Sequence, residues 1–278
     1  MIQDIEPYVL DNQYTPDLPN KDSFLLCFHG NEVLINISDD QIVFPRLKDL
    51  ESMEENLQEG CTYLFSINSQ SFYLANNIAN SPGTGFTMAN VEIFRTAQPQ
   101  YLAFAGITAF QIFSWYQTRR FCGRCGKPMK HHDKERMMFC SECGLQEYPK
   151  LSPAVIVGIV DGNKLLMSRY SGRNYKKYAL IAGFAEVGET IEETVKREVM
   201  EEVGLKVKNI RYYKSQPWAF SSTLLFGFYA DLDGAKDITL DRNELEFAEW
   251  FNREDIPVCD TAISLTNEMI MRFRENKE

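Results

Sequence analysis

Apolar and polar positions follow three different rhythms along the chain. Between Ser23 and Ile37, the runs Phe24–Phe28 (FLLCF) and Val33–Ile37 (VLINI) flank His29-Gly30-Asn31, which predicts a hairpin. Thr62–Ile67 and Phe72–Leu74 predict another strand pair, and Val91–Phe94 a further strand. Leu102, Ala105, Ile112, Phe113 and Tyr116 then form an apolar stripe, predicting a helix over Tyr101–Gln117. After Pro149–Pro153 the β-branched run Ala154–Val160 predicts a buried strand, the turn residues Asp161-Gly162-Asn163 follow, and Lys164–Met167 predicts the next strand. Ile191, Val195, Val199 and Val203 recur at helical spacing and should face a sheet. Thr190 with Glu193 forms a capping box at the start of that helix, and Gly204 is placed to end it. Strands at Ile210–Lys214 and Leu224–Ala230 and a terminal helix at Thr261–Phe273 complete the pattern. The expectation is an α/β chain in three parts: a β-rich α+β domain ending in a helix (1–118), a small module (119–148) and a mixed α/β domain (149–278).

Composition narrows this without changing it. A chain of 278 residues has room for two modest domains, and 44% hydrophobic with 24% charged residues is ordinary for a globular protein. No run approaches the roughly 18 apolar residues of a membrane span, and Met1–Glu6 lacks the pattern of a secretory signal. The C-terminal Glu275–Glu278 matches no lipidation or peroxisomal signal, so a cytoplasmic protein with no membrane partner is expected. The net charge of -10 argues against a broad basic surface for nonspecific nucleic-acid binding, although Arg119-Arg120, Arg124, Lys127 and Lys130 form a local basic cluster. Carboxylates crowd into Glu186–Glu202 instead.

Four of the seven cysteines form two C-x-x-C pairs, Cys122 with Cys125 and Cys140 with Cys143, separated by fourteen residues. Four thiolates suit a tetrahedral Zn²⁺ and leave no open coordination position, so one structural zinc per chain is expected. Gly123, Gly126 and Gly144 suit the tight turns around such an ion. His131 and His132 read as surface residues, because the cysteines already fill the shell. Such ribbons often bind nucleic acid, so the module alone permits a binding protein as well as an enzyme.

In the predicted helix, Glu198, Glu201 and Glu202 cover an arc of about 100° beside the apolar stripe. An acidic solvent-facing helix explains them equally well when they are taken alone. Hard divalent cations would relieve the repulsion, since Mg²⁺ prefers oxygen ligands and bridges to substrate phosphates. Arg197, on another part of the helix, is placed to pair back to Glu189. The complete segment Gly183–Leu205 fits G-x5-E-x7-R-E-U-x-E-E-x-G-U, where U is a bulky aliphatic residue, at every fixed position. It resembles the Nudix hydrolase signature. The resemblance implies an α/β/α sandwich and attack of water on a phosphorus of a substituted nucleoside diphosphate, with Mg²⁺ or Mn²⁺, more than one per site.

Ser215-Gln216-Pro217-Trp218-Ala219-Phe220-Ser221-Ser222-Thr223 resembles the SQPWPFPxS motif of NADH pyrophosphatases, with Ala219, Ser221 and Thr223 departing from it. A zinc ribbon ahead of the Nudix domain is that family's organisation too. By this resemblance Glu198, Glu201, Glu202, Glu244 and the Ala182 carbonyl hold the catalytic metals. Phe184 stacks on nicotinamide, Tyr148 stacks from a partner subunit, Glu135 contacts substrate, and Gln216–Thr223 line the pocket. The bland alternatives are core packing for Trp218 and Phe220, and solvated surface charge for Glu135 and Glu244. Glu202 is the first choice as general base, with Glu201 beside it. The implied protein is a homodimeric NAD(H) diphosphatase that forms NMN(H) and AMP and also removes NAD caps from RNA. The rivals are a hydrolase of ADP-ribose or another dinucleotide, and a catalytically silent zinc-ribbon nucleotide or RNA-binding protein. Losing two prolines at Ala219 and Ser221 frees two φ angles and puts substrate preference in question.

Overall fold

The computed structural model describes residues 1–39, 41–50, 56–75, 78, 85–172, 178–258 and 263–278. Two compact units emerge: residues 2–150 with 219–221, and Met1 with 151–218 and 222–278. Among the described residues no helix is long and apolar enough to cross a membrane.

The C-terminal unit contains β1 (Ser152–Asp161), β2 (Lys164–Tyr170), β3 (Ile181–Phe184), α1 (Ile191–Val203), β4 (Val207–Trp218), β5 (Thr223–Leu232), β6 (Leu245–Asn252) and α2 (Leu265–Arg274). The sheet order is β4-β5-β1-β2-β6, and β3 pairs with the first half of β1. β1 and β5 run parallel from Ser152↔Thr223 to Val160↔Asp231, which leaves both strands central. Central strands are buried on both faces, and the near-continuous apolar run of β1 reflects this. On one face α1 packs Val195, Val199 and Val203 against Val155, Val157, Ile159 and Leu166. On the other, Leu265, Met269, Ile270 and Phe273 of α2 cover Ile156, Leu165, Met167 and Tyr229. The result is an α/β/α sandwich. β6 lacks a clear sequence signature because Glu246 and Glu249 interrupt its aromatic positions Phe247, Trp250 and Phe251. The predicted terminal helix begins later, at Leu265, where the Ser264 side chain accepts from Asn267 N–H; Thr261 and Ala262 lie outside the described residues.

In the N-terminal unit, Phe28–His29 and Glu32–Ser38 form the predicted hairpin. Phe24–Leu26 departs from it to pair in parallel with Gln70–Ala75, which also pairs with Cys61–Ile67. Val91–Arg95 is a short 3-10 helix and not the expected strand. The strand Thr87–Asn90 ends just before it, and the Asn90 side chain accepts from Glu92 N–H, turning the chain into the helix. The helix Gln100–Thr118 is buried along much of its length, and Gly106 leaves room for the Phe94 ring. The module that follows is a three-stranded sheet of Lys130–His131, Met138–Phe139 and Gln146–Glu147, with Met138–Phe139 in the middle.

Candidate active site and zinc ribbon

Local chemistry places α1 with little freedom. Thr190 Oγ1 accepts from Glu193 N–H at 3.2 Å while the Glu193 carboxylate accepts from Thr190 N–H at 2.8 Å. Gly204 closes the other end at φ 69°, a left-handed conformation that suits glycine. Between these caps the valine stripe sets the helix rotation, which carries Glu198 and Glu202 to the edge of the core. Glu198 is buried, and Glu202 is only 1% exposed.

Arg197 organises the loop before the helix and the carboxylates of the helix's second half. Its Nε donates to Glu189 Oε1 at 2.6 Å, and its terminal nitrogens donate to Glu189 Oε2 at 3.0 Å and to the Phe184 carbonyl at 2.8 Å. The same guanidinium reaches Glu198 at 2.7 Å and Glu201 at 2.9 Å. The predicted pairing to Glu189 is therefore one arm of a wider fork, the geometry for which arginine is suited. The Arg197 hydrogen bonds and the Glu186 N–H outweigh partial burial and bring Glu189 down to about 2.

Glu202 is in the opposite situation. Both carboxylate oxygens are buried, and neither completes a hydrogen bond. Burial first, then the charges of Glu198 and Glu244, push its pKa up to about 8; the nearby Ala182 peptide offsets little of this. Glu198 is also raised, by burial, against the pull of Arg197. A buried, unpartnered carboxylate beside a second one is costly unless a cation completes it. The oxygen-rich donor set fits a hard divalent ion. Gly183 completes the cradle, because the Glu198 carboxylate lies directly over its backbone, where any side chain would collide.

Glu201 and Glu244 are exposed. Glu244 nevertheless lies near enough for its charge to act on both Glu198 and Glu202. Asp241, which sequence reading missed, adds a further negative charge near Glu202, and its N–H donates to the Glu202 carbonyl at 2.9 Å. Its signal was an Asx turn, in which its side chain accepts from Asn243 N–H at 2.9 Å, just before Glu244. The donor atoms of these carboxylates do not converge into a closed set in the way the cysteines do.

Cys122, Cys125, Cys140 and Cys143 bring all four sulfurs within 4.8 Å of one another. Cys122 and Cys143 are 3.4 Å apart, and Cys125 and Cys140 are 3.5 Å apart. Tetrahedral Zn–S bonds of about 2.3 Å would space them at about 3.8 Å. The two knuckles repeat one hydrogen-bond pattern: Gly126 N–H to the Cys122 carbonyl and Gly144 N–H to the Cys140 carbonyl, each at 2.9 Å. Gly126 and Gly144 take φ of 71° and 74°, whereas Gly123 is absent from the positive-φ residues and needs no such freedom. Neither histidine joins the cluster. The His131 ring meets that of Tyr116 at a tilt, centroids 4.6 Å apart, and His132 accepts from Lys134 N–H at 3.3 Å.

The remaining candidates divide by environment. Phe184 is 55% exposed at the end of β3, and Tyr148 is 54% exposed. The Tyr148 hydroxyl donates to Glu135 at 2.7 Å, joining two residues that the resemblance had named separately. Gln216 is fully buried, with its amide donating to the Ile263 carbonyl at 2.9 Å and accepting from Leu265 N–H at 2.7 Å, so it caps α2. Thr223 is buried in β5, Pro217 is exposed, and Trp218 is half-buried opposite Thr223. Ala219–Ser221 forms a short turn grouped with the N-terminal unit, in which Arg95 stands 3.9 Å over the Phe220 ring. Ser222 takes φ 55° where the chain re-enters the strand.

Known proteins carry the same pattern. Residues 150–273 match the NUDIX domain, and residues 117–148 match the NADH pyrophosphatase zinc ribbon domain. A NAD-capped RNA hydrolase NudC of Klebsiella pneumoniae (strain 342) is 42% identical over 161 residues, covering 58% of this chain and 62% of that one. Another NAD-capped RNA hydrolase NudC, of Pseudomonas entomophila (strain L48), is 41% identical over 162 residues, 58% of each chain. The match thus spans about three-fifths of these curated relatives. A NUDIX hydrolase structure from Nitrosomonas europaea aligns with TM-score 0.49 at 24% identity, over 57% of this chain and 92% of that chain. The chain therefore carries a NUDIX domain at 150–273, preceded at 117–148 by an NADH pyrophosphatase zinc ribbon domain.

Proposed function

We propose that this chain is a divalent-metal-dependent diphosphatase that cleaves the central pyrophosphate of NADH or NAD⁺ to NMNH or NMN and AMP, and that it removes the same group from NAD-capped RNA. The observation carrying the reading is Glu202, whose buried carboxylate has no protein partner and sits with Glu198 at the base of an intact Nudix box. The names of relatives about 42% identical support the dinucleotide and its RNA-linked form as substrates.

Glu198, Glu202, the Ala182 carbonyl and, from the exposed side, Glu201 and Glu244 would hold Mg²⁺ or Mn²⁺. Bound there, the metals supply positive charge that polarises the phosphoryl oxygens and lowers the pKa of water. Arg197 holds Glu198 and Glu201 in position and ties them to the Glu189 loop. Glu202, with Glu201 beside it, accepts the proton as water oxygen attacks phosphorus and the bridging P–O bond breaks toward the other phosphate. The exposed Phe184 ring offers a stacking face for nicotinamide. Tyr148, oriented by Glu135, offers another in a homodimeric assembly, and the segment from Gln216 to Thr223 shapes the pocket. Gln216 acts there through the backbone it braces.

The test is a panel of NADH, NAD⁺, ADP-ribose and NAD-capped RNA with Mg²⁺ or Mn²⁺, with products identified by chromatography, beside light scattering for the dimer. NMN or NMNH release that collapses in Glu202→Gln supports the reading. No release from any of the nicotinamide substrates ends it.

A further inference from the structure

The N-terminal unit contains a guanidinium with no carboxylate partner. Arg136 lies on the loop between the ribbon strands Lys130–His131 and Met138–Phe139. Its terminal nitrogens donate to the Asn12 side chain at 2.9 Å and to the Leu64 carbonyl. Leu64 is available because the pairing of Cys61–Ile67 with Gln70–Ala75 slips between Tyr63 and Phe65, leaving it without a partner in the register. The guanidinium also stands 5.5 Å over the Tyr14 ring. Among the described residues it forms no ion pair, and Asp133, whose charge acts on Tyr14, makes none with it.

The groups about this cation are donors. Arg136 Nε is buried and has no acceptor. The Tyr116 hydroxyl, on the helix Gln100–Thr118, is a second buried donor without an acceptor, on a residue only 8% exposed. Trp115 Nε1, on a ring whose centroid lies 4.6 Å from that of Tyr116, is a third. Tyr116, Tyr14 and Tyr63 are the groups whose charge bears on Arg136, and none of their hydroxyls forms a hydrogen bond among the described residues. Burial pushes the Tyr116 hydroxyl up, so it stays protonated and remains a donor at neutral pH.

What is left over is a set of donors carrying one positive charge. A buried cation without a counter-charge is costly, and so is each buried N–H or O–H without an acceptor. A water would accept from two donors, but it would bring two more hydrogens into the same place and leave the charge standing. A dianion would replace one net buried charge by another of opposite sign. A single negative charge answers both demands.

We propose that Arg136 Nε and the hydroxyls of Tyr14, Tyr63 and Tyr116 bind a monovalent inorganic anion of the chloride class, which ties the ribbon loop to the N-terminal strands and helix. Every one of these residues belongs to the N-terminal unit, so the site stands whatever substrate the Nudix domain takes. Glu135, next to Arg136 on the same loop, accepts from the Tyr148 hydroxyl, and the anion thus also steadies the backbone from which Glu135 extends.

The test melts full-length zinc-loaded protein in sodium gluconate, a salt of a bulky anion, with chloride or bromide replacing gluconate at constant ionic strength. The wild-type melting temperature should rise by about 3 to 5 °C for each tenfold increase of halide above its dissociation constant. Tyr116→Phe removes an unpartnered donor, so in gluconate it should melt at or above the wild-type temperature while most of the halide response disappears. Tyr14→Phe should reduce the response and Arg136→Gln should abolish it. If Arg136→Gln does not fold, the two tyrosine variants decide, since each only removes a hydroxyl. Crystals soaked in bromide should show anomalous density within hydrogen-bond reach of Arg136 Nε and the Tyr116 hydroxyl. Equal melting in gluconate and chloride overturns the site, as does a halide response that survives in both tyrosine variants. A water without anomalous signal at that position overturns it too, and bromide density with no response in solution is binding at crystal concentration only. A response to sulfate equal to that to chloride overturns the monovalent class.

Discussion

Gly183→Ala tests the proposed metal cradle at its tightest point. A Cβ built on Gly183 falls 1.9 Å from the Glu198 carboxyl carbon, with both of its oxygens almost as near. Comfortable carbon–carbon contact is about 3.5 Å, so the carboxylate must retreat by about 1.5 Å. The obstruction is the end of a flexible side chain and not backbone, so the strand and helix survive, at an overpacking cost of about 1 to 2 kcal/mol. Function should suffer more. A misplacement of about 1 Å at a reacting centre costs about 10²-fold, equivalent to about 2.7 kcal/mol at 1.36 kcal/mol per decade. We expect kcat/KM on NADH to fall about a hundredfold, Mn²⁺ binding by calorimetry to weaken, and the melting temperature to move by a few degrees only. The mechanism also predicts non-additivity: in Glu198→Ala the obstruction is gone, so adding Gly183→Ala should cost little more. Wild-type kcat/KM in the single variant would refute the reasoning, and so would fully additive losses in the double one.

Three other outcomes follow from single contacts. Gln216→Ala leaves the Ile263 carbonyl and Leu265 N–H without their partner, so urea denaturation should show a loss of about 1 to 3 kcal/mol, with KM for NADH nearly unchanged; a large KM effect at wild-type stability would place Gln216 against substrate. Glu189, held at about 2 by Arg197, contributes stability that is full above its ordinary value of 4.5 and is lost as pH falls toward 2, so the decline of the urea midpoint between pH 5 and pH 2 should be shallower in Glu189→Gln. Cys140→Ser should lower zinc below one equivalent per chain by elemental analysis and expose the ribbon to protease, whereas His132→Ala should keep a full equivalent.

Features carried by local chain geometry were legible from sequence. The hairpin Phe28–Val33, the long helix and the α1 caps each depend on contacts a few residues apart. Partner choice between distant strands was not legible. Phe24–Leu26 and Phe28–His29 read as one run, yet Cys27 divides them between two sheets, because Phe24 meets Phe72 and Phe28 meets Val33. Val91–Phe94 has strand composition, but the Asn90 cap at its start outweighs that preference and makes it helical. β6 was hidden for the converse reason: at the sheet edge its glutamates reach solvent, so its pattern resembles a surface loop.

The candidate site divides in the same way, and the division explains why its box is so compact in sequence. Glu189 meets Arg197 eight positions on, Arg197 meets Glu198 and Glu201, and Glu198 folds back over Gly183; one loop and one helix make every one of these contacts. Each fixed position can therefore be tied to a separate physical demand: no side chain at Gly183, an anion for the guanidinium at Glu189, the fork itself at Arg197, and a left-handed cap at Gly204. Glu202 alone is satisfied by nothing in the box, and the charges bearing on it from outside come from Asp241 and Glu244, about forty positions later. Those two were weak in the sequence because a carboxylate in a solvated turn has the same appearance whether or not it faces a cation. Their significance comes from bringing more negative charge toward a carboxylate that is already buried, an arrangement that disfavours the metal-free state and so favours the binding of divalent ions.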